Sequence, residues 1–467
     1  MVRTRIAPSP TGYPHIGTIY QALFNYAFAK KQNGHFIVRI EDTDRNRFVE
    51  GSEEIIYKSL DWIELQEDES PRIKGNFGPY RQSERLEIYH KYAQELIEKD
   101  LAYFAYYPKE EAGKKKDYSH KNTLHIQVST TTRPPPKTIN EMLSRKDWIV
   151  RMKVPRDKNI TVKDEIRGEI TFESNQITEQ ILIKSDGFPT YHLASVVDDH
   201  LMEISHVLRA EEWLTSMPKH WLLYEYFGWE KPKFYHTATL RNPDKSKLSK
   251  RHGHTNVLWF IDEGFLPQAV LNFLALLGWS HPEEKEIFPL SEFIKLFDPK
   301  DIRPVAPIFD IQKLEWMNGE YIRSLNINSL TKAIKDYEKA IAKRNTINNI
   351  NSERLKKIVS LAQSRINTLK EFYPLAKYLV EKEVHFLENE KDRELAKELL
   401  VQFQKMTDWN QDEIFQVFKS VMKKHAIKMP RFYTILTGET KGLPLPESLE
   451  LLGRDETISR LEKAVKQ

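Results

Sequence analysis

The stretch Arg5-Ile6-Ala7-Pro8-Ser9-Pro10-Thr11-Gly12-Tyr13-Pro14-His15-Ile16-Gly17-Thr18 decides how this chain is read. Residues 2–7 have the character of a short strand, and the prolines from Pro8 to Pro14 end it. From Ile16 onward, Ile16, Ile19, Tyr20, Leu23, Phe24, Ala27 and Phe28 recur at three- and four-residue steps, which predicts an amphipathic helix. Lys30 and Lys31 suit its last turn, and Asn33-Gly34 suits its stop. His35-Phe36-Ile37-Val38-Arg39-Ile40-Glu41 then reads as a buried strand. Strand, loop, helix and second strand make one βαβ unit, and such units build open parallel sheets that hold nucleotides at the C-terminal ends of their strands. His15-Ile16-Gly17 stands where the helix begins. Gly17 lets a nucleotide approach the backbone, the N–H groups of the helix end favour phosphate, and His15 can donate to a phosphate oxygen.

Far downstream stands Lys247-Leu248-Ser249-Lys250-Arg251, preceded by Arg241-Asn242-Pro243-Asp244 and followed by His252-Gly253. Alone, a basic loop is an ordinary solvated turn. Beside a nucleotide-binding βαβ unit, a lysine pair can clamp a triphosphate while negative charge moves toward the leaving pyrophosphate. That is electrostatic stabilisation and needs no protein nucleophile. The two motifs together predict the ATP site of an enzyme that activates a carboxylate.

Between them, Tyr89 to Leu101 reads as a helix, and Trp148 to Val154 and Gln180 to Lys184 have strand character. Residues 105–147 hold Lys114-Lys115-Lys116, a threonine run and Pro134-Pro135-Pro136, so they read as a loop-rich insertion. The βαβ theme resumes with Tyr191 to Val197 and Val207 to Trp213. After about residue 325 only helices are expected. Leu330, Ile334, Tyr337 and Ile341 share one face, as do Leu355, Ile358, Val359 and Ala362. A third stripe of Ile414, Val417, Phe418, Val421 and Met422 is entered through Thr407-Asp408 as its cap region. These stripes are read as core packing.

The 467 residues suffice for several domains, and a hydrophobic content of 40% can build their cores. The net charge of +4 permits a polyanionic partner without requiring one. There is no cysteine, which excludes disulfides, thiol catalysis and Cys–zinc sites. The fifteen histidines form no helical metal-ligand pair with an acidic partner, so no metal site is expected. No signal-peptide core follows Met1, and the most apolar run, Val270 to Trp279, is too short to span a bilayer. A cytoplasmic monomer with no membrane partner is expected.

With these motifs in view, the chain resembles the bacterial-type glutamyl-tRNA synthetases, which are class I aminoacyl-tRNA synthetases. Residues 3–18 are similar to the family's "HIGH" signature and residues 247–251 to its "KMSKS" loop, with Thr18 and Leu248 as the departures. Further matching segments are 36–44, 78–83, 184–192, 196–200 and 209–213. The resemblance covers most of residues 1–325 and continues less specifically to the end.

It implies an α/β, Rossmann-type catalytic domain over residues 1–88 and 191–245, with an α/β insertion over 89–190 that receives the tRNA acceptor end. A stem-contact domain over 246–325 and an all-α anticodon-binding region over 326–467, split near 405, would follow. It implies a glutamate–tRNA ligase whose partners are L-glutamate, ATP with Mg²⁺, and tRNA(Glu), with no zinc. His15, Lys247 and Lys250 would be catalytic. Gly17, Glu212, Leu240, Leu248, Ser249 and Arg251 would join them around ATP. Arg5 and Arg209 would hold the substrate's side-chain carboxylate, Glu41 its ammonium, and Ala7, Ser9, Tyr191 and Ser195 would line the pocket. Arg365 would read the last anticodon base. Asp198-Asp199 could serve ribose, a metal or the fold. The rival readings are an enzyme that also glutamylates tRNA(Gln), a glutaminyl-tRNA synthetase, a small nucleotidylyltransferase and a catalytically silent paralogue.

Overall fold

The computed structural model describes residues 1–107, 134–248, 255–344, 346–381, 387 and 389–466. Lys114-Lys115-Lys116 and the threonine run lie outside the described residues. The chain divides into two compact units: Met1–Leu258 with Leu271–Asp310, and Trp259–Val270 with Ile311–Gln467.

The first unit holds two parallel strand pairs. Strand β1 (Arg3–Ile6) runs into helix α1 (Ile16–Lys31), which returns to β2 (His35–Val38), and β1 pairs with β2 in parallel with Arg3 opposite His35. This is the expected βαβ unit, although its second strand ends at Val38 rather than Glu41. The turn between α1 and β2 is tight. A Cβ on Gly34 would stand 2.1 Å from the Val2 carbonyl oxygen, so only glycine fits there. In the second half, β8 (His206–Ala210) pairs in parallel with β9 (Lys233–Thr237). The helix Met217–Phe227 lies between these strands in sequence. The halves meet where Ser205 N donates to Arg3 O at 3.0 Å and Asn25 Nδ2 donates to Leu208 O at 3.1 Å. The C-terminal ends of β1 and β8 bring Arg5 and Arg209 to one cavity.

Between the halves in sequence come an antiparallel sheet of order β3 (Ala102–Tyr106), β4 (Trp148–Met152), β7 (Ile181–Ile183), and a separate hairpin of β5 (Asn159–Asp164) and β6 (Gly168–Glu173), whose β5 packs on β9. The helix expected from Tyr89 spans Leu86–Glu98, and Ile139–Arg145 forms a short helix inside the segment expected to be loop. Thr138 caps that helix by accepting from Glu141 N, which stabilises a turn that composition alone hides. Tyr89, Leu96, Trp148, Val150, Leu182, Leu193 and Leu223 share one core, so this part is not a loose appendage.

The second unit is helical. Leu330, Ile334, Leu355, Ile358, Val359, Ile414, Phe418 and Val421 are buried in one cluster, as the stripes predicted. Four of its helices start on an asparagine whose side chain accepts from the first turn: Asn326, Asn351, Asn389 and Asn410. The helix Gln411–His425 is therefore capped by Asn410, not by Thr407-Asp408, because Asn410 is the residue whose side chain meets Glu413 N. Among the described residues, no helix is long and apolar enough to cross a membrane.

Candidate active site

Loop Ala7 to Thr11, the start of α1 and the ends of the strands enclose a cavity of ≈ 1040 Å³. Arg5, Ala7, Ser9, His15, Gly17, Glu41, Tyr191, Arg209, Glu212, Leu240, Lys247 and Leu248 all line it. These residues come from segments more than 200 positions apart. A parallel sheet makes this possible, because every strand delivers its C-terminal end to the same edge.

One wall is a buried ion network. Arg5 donates Nε and Nη2 to the two Asp199 oxygens at 3.0 and 3.1 Å. Arg39, fully buried, donates to Asp199 at 2.7 Å and to Glu41 at 3.0 Å. Asp198 accepts from Arg85 at 2.7 Å, from Tyr89 and from Gln82, and lies 3.6 Å from Arg39 Nε. Three guanidiniums thus meet three carboxylates. Asp198 and Asp199 serve to fix these arginines, and Asp199 in particular aligns Arg5. Burial lifts the Glu41 carboxyl to about 6, against the pull of Arg39 and Arg5.

Around Arg209 the lining is built differently. Arg209 donates from Nη1 to the Tyr191 hydroxyl at 2.8 Å and from Nε to His236 Nε2 at 2.9 Å. It also lies 3.3 Å from His220 Nδ1, 3.9 Å from the Met217 sulfur and 5.5 Å from the centre of the Phe234 ring. No carboxylate of the described residues pairs with it. Arg209 is 6% exposed. The Tyr191 ring packs on Trp213, 4.3 Å between centroids, and Trp213 stands half-open at the mouth.

At the helix start, His15 Nδ1 accepts from Gly17 N at 2.9 Å, Ile16 N donates to Thr255 O at 2.7 Å and Thr18 N to His15 O at 2.7 Å. The N–H groups that the sequence offered to phosphate are therefore already used. The cap also fixes the ring: with Nδ1 accepting, the proton of the neutral imidazole sits on Nε2. A Cβ on Gly17 would lie 3.0 Å from that Nδ1, so glycine here makes room for the cap.

The residues leading up to Leu248 are held by backbone hydrogen bonds. Asn242 N donates to Ser246 O, Leu248 N donates to Leu240 O at 3.1 Å, and Leu248 is buried. Lys247 is ion-paired with Glu212. Ser249, Lys250 and Arg251 lie outside the described residues. Among the described residues, no group of three or more histidine, aspartate or glutamate side chains could hold a metal ion.

A family model described as "tRNA synthetases class I (E and Q), catalytic domain" matches residues 1–316, and one described as "Anticodon binding domain" matches residues 329–465. The glutamate–tRNA ligase of Thermus thermophilus is 43% identical over 475 residues, covering 100% of both chains. That of a Psychrobacter species is 42% identical, covering 99% of this chain and 93% of its own. The crystal structure of a glutamate tRNA ligase from Elizabethkingia meningosepticum, in complex with its amino acid, matches with a TM-score of 0.82 at 34% identity, covering 100% of this chain and 99% of that one.

This chain belongs to the glutamate–tRNA ligase family. The class I catalytic domain and the helical C-terminal region expected from the motifs are borne out with it.

One residue expected at the site of this ligase family stands elsewhere. Ser195 does not line the cavity. It lies one helical turn beyond Tyr191, and its short side chain is buried with Oγ unbonded, stopping short of the space that the Tyr191 ring reaches. Arg365, expected in the anticodon-binding region and not at this cavity, lies in the second unit, exposed on the turn after the helix Ser352–Gln363. Three residues around Arg209 escaped the sequence reading: His236, His220 and Asp164. For His236 the signal was a histidine inside the strand-like run Phe234-Tyr235-His236-Thr237. His220 and Asp164 carried none, because what marks them is contact with residues remote in the chain.

Proposed function

We propose that this chain activates L-glutamate with ATP and transfers it to tRNA(Glu), with the cavity residues in the following roles. The observation that carries this reading is Arg209. It is a buried guanidinium with no carboxylate partner among the described residues, in a cavity that also holds Glu41. A buried unpaired charge costs several kcal/mol, and arginine cannot relieve that cost by losing its proton. The site is therefore short of one anion, and a substrate carboxylate supplies it. Glutamine would bring an amide NH₂ against the same N–H groups and is disfavoured. Glu41 pairs with the substrate ammonium, and the Arg5 N–H groups that Asp199 leaves unused join Arg209 in holding the side-chain carboxylate. Ala7, Ser9 and Tyr191 complete the pocket.

The glutamate α-carboxylate then attacks the α-phosphorus of ATP. The new O–P bond forms as the bond to the β-phosphate oxygen breaks, and pyrophosphate leaves with magnesium, which enters as part of the nucleotide substrate. His15 donates from Nε2 to a phosphate oxygen. Gly17, Glu212, Leu240 and Leu248 border the nucleotide. Lys247 exchanges Glu212 for phosphate, and with Lys250, Ser249 and Arg251 it balances the charge that builds on pyrophosphate. The 2′-hydroxyl of the terminal adenosine next attacks the activated carbonyl, and AMP departs. In this reading residues 89–190 receive the acceptor end, 246–325 touch the stem, and 326–467, through Arg365, read the anticodon. The enzyme works as a cytoplasmic monomer, in the compartment where tRNA is charged for translation.

The test is charging of purified tRNA(Glu) and tRNA(Gln) with labelled glutamate, together with glutamate-dependent pyrophosphate exchange. Label on tRNA(Glu) alone is the expected result. Label on both tRNAs replaces the reading with its non-discriminating form, and label on neither overturns it.

A further inference from the structure

Arg209 is held by bases, and the hydrogens of that arrangement can be assigned. A guanidinium has only donors, so both ring nitrogens that face it must accept. His236 therefore accepts at Nε2 and carries its proton on Nδ1, where Asp164 Oδ2 receives it at 2.7 Å. Asp164 is itself immobilised. Its Oδ1 accepts from Ile166 N and Arg167 N in the β5–β6 turn, and its Oδ2 also accepts from His236 N at 3.0 Å. His220 accepts at Nδ1, so its proton lies on Nε2, 3.2 Å from His192 Nδ1. Burial, then Arg209, hold these rings uncharged. His236 is lowered to about 4 even with Asp164 pulling the other way, and His220 falls well below the usual histidine range.

We infer that His236, locked by Asp164, is a specificity-determining positioning residue, which aims Arg209 at the substrate carboxylate without spending its charge. A carboxylate in place of His236 would orient the guanidinium equally well but would neutralise it, as Asp199 does for Arg5. A neutral acceptor fixes the direction and leaves the full charge for the ligand. Asp164 supplies its negative charge one imidazole further away, and it sets the tautomer, so that a lone pair rather than an N–H faces Arg209. His220 performs the same service at Nη1. The inference rests on the proposed glutamate site and adds residues that do not touch substrate.

The experiment measures KM for glutamate, KM for ATP and kcat in tRNA charging. Three variants are compared: His236→Gln, whose amide oxygen can stand near the Nε2 position, His236→Asn, which keeps only the Asp164 side, and His236→Glu. His236→Asn should raise KM for glutamate about tenfold or more with KM for ATP within about twofold, and His236→Gln should restore most of that loss. His236→Glu, which brings a charged acceptor to Arg209, should fail to saturate with glutamate. Equal defects in Asn and Gln variants, or parallel rises in both KM values, would show a merely structural role and overturn the proposal. Should His236→Asn not fold, Asp164→Asn gives the same reading. Either orientation of its amide sets an N–H against backbone N–H groups that the carboxylate now serves, so where this variant stays folded it loosens the tautomer lock and should likewise raise the glutamate KM more than the ATP KM. A wild type that charges no tRNA sinks the functional reading, whereas an active wild type with indifferent His236 and Asp164 variants sinks only this one.

Discussion

Arg5 and Arg209 stand at the ends of corresponding strands in the two βαβ halves, almost equally buried, and their surroundings differ in charge. Arg5 belongs to a network in which Asp198, Asp199 and Glu41 balance Arg5, Arg39 and Arg85. Arg209 meets a phenol, two imidazoles and a thioether. The first arrangement is complete before any ligand arrives, and the second is complete only with one. Burial depth therefore does not separate an arginine whose charge is already balanced from one whose charge awaits a ligand. The formal charge of the partners does, because desolvating an ion costs several kcal/mol wherever nothing of opposite sign repays it.

The comparison breaks most visibly at Arg209 itself. Arg209→Met should lower kcat/KM for glutamate by about 10³- to 10⁴-fold, while the melting temperature holds or rises, since an uncompensated buried charge has gone. A melting temperature several degrees lower would mean that Arg209 is structural after all. Asp199→Asn should do the reverse. It strands Arg5 and Arg39 and should cost about 3–5 kcal/mol in a denaturant titration, more than any change in glutamate affinity. The pH dependence sharpens this. Burial works to raise the Asp199 carboxyl, but Arg5 and Arg39 overcome it and leave it below its ordinary value. The stability it contributes is therefore present above the ordinary carboxyl range and lost as pH falls through the lower folded value, so the gap between wild type and variant should close only in acid. The smallest effect concerns Glu41. With its carboxyl near 6, protonation removes the ammonium partner in mild acid, and KM for glutamate should climb about tenfold from pH 7 to pH 5 while Glu41→Gln stays flat. A wild-type KM that does not move across that range would take Glu41 out of the site.

Much of this was legible in the sequence because it is periodic or local. The βαβ unit from Arg3 to Val38 and the helical stripes around Leu355 and Phe418 follow from the spacing of apolar side chains, which decides what can be buried. The hairpin is periodic in the same sense: Asn159 to Asp164 alternates exposed and buried residues at every step. What could not be read is pairing over distance. Asp164 and His236 are 72 positions apart, and neither residue type announces the other. The state of the α1 N-terminus was hidden for a different reason. Three N–H groups facing phosphate is the default for a helix start, and only the rotamer of His15 reveals that one of them is spent on its own cap.

The turn that carries Asp164 belongs to the segment between the two nucleotide-fold halves, while the arginine it steers belongs to the second half. Amino-acid choice is thus not confined to the two βαβ halves. Chimeras that trade the intervening segment among synthetases, or trim the 159–173 ribbon to make a minimal activating fragment, would inherit a blunted sense of which amino acid to accept, even with every substrate-touching side chain intact.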